Sequence, residues 1–298
     1  MNSGKETVQL ASLVNMNSSE AVLEEVKRNF INFYSLEDFS PVRHWYHDFL
    51  RLYRGEYEGY LKCNTPFHNI KHITDVFLAF SRLVDGYNIE EGPLPIETVR
   101  TGFISSLFHD SGFIQKEYED YREGTGAQYI ATHVERSLDF VRTYIGRKQL
   151  CIDTASAGRM IQITDLQMDI SAAGFQNPDE KTVGAMVATA DLIGQMASRT
   201  YLEKLLFLYR EYEEAQLPGY NTELDLLKKT RGFYEKIVIP RLRKDFSGLF
   251  SYNRAHFRER YSVDADLYTE AIERQLCYLE YVLQESPEAY KERLRRTQ

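Results

Sequence analysis

The segment Thr65-Pro66-Phe67-His68-Asn69-Ile70-Lys71-His72-Ile73-Thr74-Asp75-Val76 carries a polar pattern, H-N-x-x-H-x-x-D-V, at the head of an apolar run. Read as a helix, it puts His68 and His72 one above the other at i,i+4, with Asp75 a turn beyond on the same side. Two imidazoles and a carboxylate on one face are costly unless a metal ion or an anion uses them. A lone histidine is usually a satisfied core or surface residue. This pair has company: His109-Asp110, Thr164-Asp165 and Asp191 each follow or sit inside an apolar helical run, and together they favour a metal site.

Working outward, Ile73, Val76, Phe77, Phe80, Leu83 and Val84 form one apolar stripe at helical spacing. Thr65-Pro66 reads as N-cap and first turn, and Gly86 as the stop. Past a loop with Gly92, Pro93 and Pro95, the spacing of Val99, Phe103, Ile104, Leu107 and Phe108 predicts a helix that delivers His109-Asp110. A carboxylate desolvated at the end of such a helix needs a partner cation. Met160 to Leu166 ends another apolar turn in Thr164-Asp165. A helix containing Val183, Val187, Ala190 and Asp191 follows, and its continuation carries Leu192, Met196, Tyr201, Leu205, Leu208 and Tyr212.

Upstream, residues 1–18 read as a flexible lead-in, with Ser18 or Ser19 capping a first helix. An aromatic segment runs from Pro41 to Tyr60. Its His44 and His47 read as histidines of an amphipathic helix, and His133 further on as structural. Helical spacing returns from 222 to 298. No strand-like alternation, internal repeat or domain boundary stands out. The expected fold is all-α, with residues 19–298 forming a single helical bundle.

The totals agree. With 43% hydrophobic residues, 21 Tyr and 17 Phe, the 298-residue chain can bury a sizeable core, and 8 Pro and 17 Gly suit long helices. A net charge of −8 argues against a nucleic-acid polymer as partner. Cys63, Cys151 and Cys277 suggest neither a disulfide framework nor a cysteine zinc site. No signal segment or membrane-spanning run is apparent, so the expected location is cytoplasmic. A homodimer is left open, because the aromatic N-terminal segment and the C-terminal helices would each serve as a surface.

His72, His109, Asp110 and Asp191 come from three separated helices. Mixed imidazole and carboxylate donors favour Zn, Mn, Fe or Mg over a calcium cage. Such an ion makes hydroxide available near neutral pH. A histidine nearby that is not a ligand, His68, would protonate a departing oxygen. The combination suits hydrolysis of a small phosphoester.

These residues resemble a known family. His72, His109-Asp110 and a late Asp191 match the H…HD…D pattern of the all-helical HD-domain metal-dependent phosphohydrolases. More narrowly, residues 68–76 look like the signature of class I cyclic-nucleotide phosphodiesterase catalytic domains. Ile163-Thr164-Asp165-Leu166 is similar to that family's A-T-D-M element, and Ala190-Asp191-Leu192 to its A-D-L element, all in order over about residues 40–215. The resemblance implies His68 as general acid and His72, His109, Asp110 and Asp191 as ligands of a divalent metal. It places Glu119 near the hydroxide, with Asn69, Asp75, Thr164 and Asp165 supporting the ligands.

Two departures fall around a second metal. Phe113 stands where the family has a further histidine, and Tyr121 and Arg122 stand where it has a histidine pair. One ion is therefore expected, with a second left open. Gln195 and Gln275 are both available to contact a base. The alternatives to a phosphodiesterase are a nucleotide phosphomonoesterase, for which Arg122 would speak, and a non-catalytic HD module that binds a nucleotide.

Overall fold

Asn69, rather than Thr65, starts the central helix. Its side-chain oxygen accepts from the backbone N–H of Lys71 and His72, and the helix runs Ile70–Glu91. Thr65 instead closes the turn before it, its hydroxyl donating to the His68 carbonyl at 2.8 Å. His68 therefore precedes the helix and is not stacked one turn below His72. The helix also passes through Gly86 and ends at Gly92, whose φ is +94°. A Cβ at Gly86 would lie 1.9 Å from the Tyr252 carbonyl oxygen, so the glycine is there for a close helix crossing and does not act as a stop.

A computed structural model describes residues 8–119, 124–284 and 290–294. Among them the helices, in chain order, are α1 Leu10–Leu13, α2 Ser19–Phe30, α3 Leu36–Arg54, α4 Ile70–Glu91, α5 Ile96–Phe108, α6 His133–Lys148, α7 Thr154–Gln162, α8 Pro178–Met196, α9 Tyr201–Glu214, α10 Glu223–Phe233, α11 Tyr252–Tyr261, α12 Leu267–Gln284 and α13 Tyr290–Arg293. The fold is all-α. The only extended pairing among these residues is a single antiparallel bridge between Tyr60 and Lys116. No helix of the described residues is long and apolar enough to cross a membrane.

α4 is the hub. It packs against α8, α11, α5 and α2, and Ile73, Val76, Phe77, Phe80 and Leu83 are fully buried along it. Burial of this kind contributes roughly 1.5–3 kcal/mol for each large apolar side chain. α5 forms as its apolar spacing predicts and hands the chain to His109 at its C-terminus. α8 begins at an Asn177 cap with Pro178 in the first turn. It ends at Met196, and the expected continuation restarts as α9 at Tyr201 after a short break.

Part of the expected lead-in is packed. Val14 is buried, and α2 starts from a Ser18 cap that accepts from the Ala21 N–H. Past α10, the helix widens into two π-type turns, Tyr234–Val238 and Arg241–Asp245, on either side of Pro240. A proline without an N–H accounts for that loosening.

Candidate metal centre

Three helices aim donors at one point. His72 is in the first turn of α4, His109 and Asp110 follow α5, and Asp191 is on α8. His72 Nε2 lies 3.1 Å from Asp110 Oδ2 and 3.3 Å from Asp191 Oδ1. His109 Nε2 lies 3.3 Å and 3.6 Å from the same two oxygens. Donors bound about 2.1 Å from a common ion are roughly 3.0–3.4 Å apart in octahedral or tetrahedral arrangements, so the donor set fits a divalent metal. His72, His109 and Asp110 alone already form a buried group able to hold an ion.

The orientation of each ring has a local cause. His109 Nδ1–H donates to the Ser106 carbonyl at 3.0 Å, which leaves the Nε2 lone pair facing inward. That Nε2 is buried and makes no hydrogen bond despite its two carboxylate neighbours, as expected of a ligand atom aimed at a shared centre. Burial by itself would lower the pKa of His72 and His109, but the adjacent Asp110 and Asp191 carboxylates outweigh it and raise both. Burial works against the Asp110 and Asp191 carboxylates. The two imidazoles outweigh it and hold both below the usual carboxylate range.

His68 lines a cavity that His72, Asp110 and Asp191 also line. Its Nδ1–H donates to Glu211 Oε2 at 2.6 Å, while Glu211 Oε1 accepts from the Phe67 N–H at 2.7 Å. The Glu211 side chain is buried. The His68 and His72 rings are perpendicular, with centroids 5.8 Å apart. Phe113, buried, stacks on His68 at 4.2 Å and on His133 at 4.6 Å, so one phenyl ring sits between two imidazoles. The close approach behind it requires Gly112: a Cβ there would lie 1.9 Å from the His133 carbonyl.

His133, read from sequence as structural, is thereby drawn to the site. Its Nδ1–H donates to the Ile130 carbonyl and its Nε2 is 3.9 Å from Asp110 Oδ1. Burial keeps its pKa low, with Asp110 only partly offsetting this. Of the seven histidines, four gather here; His44 and His47 are exposed on α3 and His256 is buried on α11.

The supporting residues divide. Thr164 and Asp165 line the cavity with the ligands. Asn69 caps α4. Asp75 does not share the His72 side: its carboxylate meets Lys71 and Lys204 and lines a different cavity. Glu119 is likewise engaged elsewhere. It accepts from Arg136, from the Tyr129 hydroxyl and from the Lys116 N–H, and it does not line the cavity. Arg136 explains this, since its guanidinium, stacked over Tyr129, holds the carboxylate at 2.7 Å. Tyr121 and Arg122 lie outside the described residues. Gln195 lines the cavity, whereas Gln275 donates to the Ser198 and Arg199 carbonyls and does not.

The cavity is about 520 Å³. Beyond its polar end the lining is apolar and aromatic, including Leu192, Met196, Leu208, Tyr212 and Phe233. Fold and site together define an all-helical protein with a buried His/His/Asp candidate metal centre. The chain belongs to the Npun_R2479-like family, a family of unknown function whose model matches residues 17–268. No HD or phosphodiesterase family model matches it. No curated protein matches the chain.

Proposed function

We propose that the protein is a metal-dependent phosphoester hydrolase acting on a cyclic nucleotide or a similar small phosphodiester. The observation that supports this most is that His68, braced by Glu211, opens onto the cavity that His72, Asp110 and Asp191 of the converging donor set also line. A divalent ion held by His72, His109, Asp110 and Asp191 supplies Lewis acidity and a nucleophilic water of lowered pKa when bound.

The remaining work falls to side chains. Glu211 fixes His68 Nδ1 as a donor, which leaves Nε2 to carry the proton that is given to the departing ester oxygen. Phe113, stacked on the ring, holds its plane. The apolar and aromatic remainder of the cavity suits a flat base, with Gln195 the glutamine in reach of it.

The test is ring-opening of 3′,5′-cyclic AMP and GMP by purified protein supplied with Mn, Mg or Zn, run beside Asp110→Ala. Turnover that vanishes in the variant is the expected result. If metal-loaded protein opens neither ring, the diesterase reading is wrong, and nucleotide monoesters or binding without turnover take its place.

A further inference from the structure

The other face of α4 borders a second cavity of about 600 Å³, separate in its lining from the first. Its α4 contribution includes Lys71, Thr74, Asp75, Leu78 and Arg82; α1 and residues 14–17 form another wall, and residues 197–200 with Lys204 a third. The charge is lopsided. Lys62, Lys71, Arg82, Arg199 and Lys204 line it against one carboxylate, Asp75, in a chain whose net charge is −8.

The buried members are short of partners. Arg82 is 2% exposed, and its Nε and Nη2 make no hydrogen bond. Its Nη1 donates to the Tyr268 hydroxyl at 3.2 Å, and its guanidinium lies over the Phe257 and Tyr268 rings. The Glu25 carboxylate, whose charge Arg82 feels, is already taken by Arg28 and the Tyr261 hydroxyl. Lys204 is 4% exposed, and its Nζ stands 3.7 Å from Asp75 Oδ2, beyond hydrogen-bond reach. Burial pulls the Lys204 ammonium below the usual lysine range, with Asp75 offsetting only part of that. The Tyr53 hydroxyl, also buried and lining this cavity, has no partner either.

A buried guanidinium with unbonded N–H groups, beside an ammonium that one carboxylate reaches only at ion-pair distance, is unfavourable unless a further anion meets them. Two helix starts border the same space, at Asn69–Lys71 of α4 and at Thr200 of α9, which has no side-chain cap. Their dipoles add positive potential. A carboxylate would offset one of the surplus charges, whereas a phosphate offsets more and presents oxygens on several sides to a planar guanidinium and an ammonium. We propose that this second cavity is an anion site taking the phosphate or diphosphate group of a small molecule, with Arg82 and Lys204 as its buried contacts. Lys62, Lys71 and Arg199, which are more exposed, form its mouth.

The experiment is calorimetric titration with pyrophosphate and with inorganic phosphate, at low salt and without added metal. Wild type, Asp110→Ala, Arg82→Met and Lys204→Met are compared, each checked for folding by circular dichroism. Binding should be equal in wild type and Asp110→Ala, and roughly tenfold or more weaker in the other two. Loss in Asp110→Ala with retention in Arg82→Met would send the anion to the metal centre and overturn the proposal. Equal affinity in all four proteins, or no binding of either probe to wild type at millimolar concentration, overturns it as well. Should the buried variants fail to fold, Lys71→Met at the mouth reads the same quantity, and an unchanged affinity there counts against the site.

Discussion

His68 Nδ1 lies 2.6 Å from Glu211 Oε2, a contact between residues 143 positions apart in the chain. The pair fixes which nitrogen of the imidazole donates, while the Phe113 stack sets the plane of the ring. On the proposed chemistry, His68→Ala lowers turnover by ~10²–10⁴ while leaving metal content unchanged. Glu211→Gln, which keeps the shape and removes the charge, lowers it by ~10–100-fold. Steady-state rates measured beside metal analysis check both. Metal loss in His68→Ala would make His68 a ligand instead.

Asp110 touches both histidine donors, so Asp110→Ala should abolish tight metal binding and all turnover. Elemental analysis of the purified variant provides the check, and a full complement of metal would count against the assignment.

Metal affinity should rise with pH. The carboxylates raise the pKa of His72 and His109, so each imidazole holds a proton to higher pH than an ordinary histidine, and that proton must leave before the nitrogen can bind an ion. Affinity therefore falls as pH drops below the raised values, by up to about tenfold per unit for each proton displaced. Titrations with Zn or Mn at several pH values, in buffers of different ionisation heat, count the protons released.

Acid stability has a separate source. Burial disfavours the Asp85 carboxylate, but His256 and Arg260 outweigh it and hold its pKa below the usual range. A depressed folded pKa means stability that is full above the unfolded value, about 3.9, and is lost as pH falls through the folded value. Asp85→Asn should cost about 1–3 kcal/mol at neutral pH and flatten the loss of stability below pH ~4. Urea unfolding at several pH values measures both.

Gly86→Ala should destabilise by about 1–3 kcal/mol or more, because the added methyl meets the Tyr252 carbonyl and must push α4 and α11 apart. A melting temperature unchanged from wild type would show that the crossing can relax.

The long apolar periods of α5 and α8 were legible in the sequence, and with them the delivery of His109, Asp110 and Asp191. The start of α4 is ambiguous in the sequence because Thr65-Pro66 and Asn69 both satisfy capping chemistry, and only the packed turn chooses between them. Gly86 looked like a stop because the crossing of α11 is not local. Glu211 sits in the charged run Arg210-Glu211-Tyr212-Glu213-Glu214 and resembles a solvated face; its one signal is a place three residues after Leu208 on the α9 stripe. The place of His133 beside the donors is not legible, because it comes from the stacking of His68 and His133 on the two faces of Phe113, which no local spacing shows.

The cap at Asn69 has a mechanical consequence. It splits the H-N-x-x-H pattern into two bodies: His72 turns with α4, whereas His68 is tied through Glu211 to α9. A shift of α9 thus bears on His68 through Glu211, whereas its link to α4 runs through the Lys204–Asp75 ion pair, a turn beyond His72. The two histidines, four residues apart in the chain, answer to different helices: His68 to α9 at Glu211, His72 to α4.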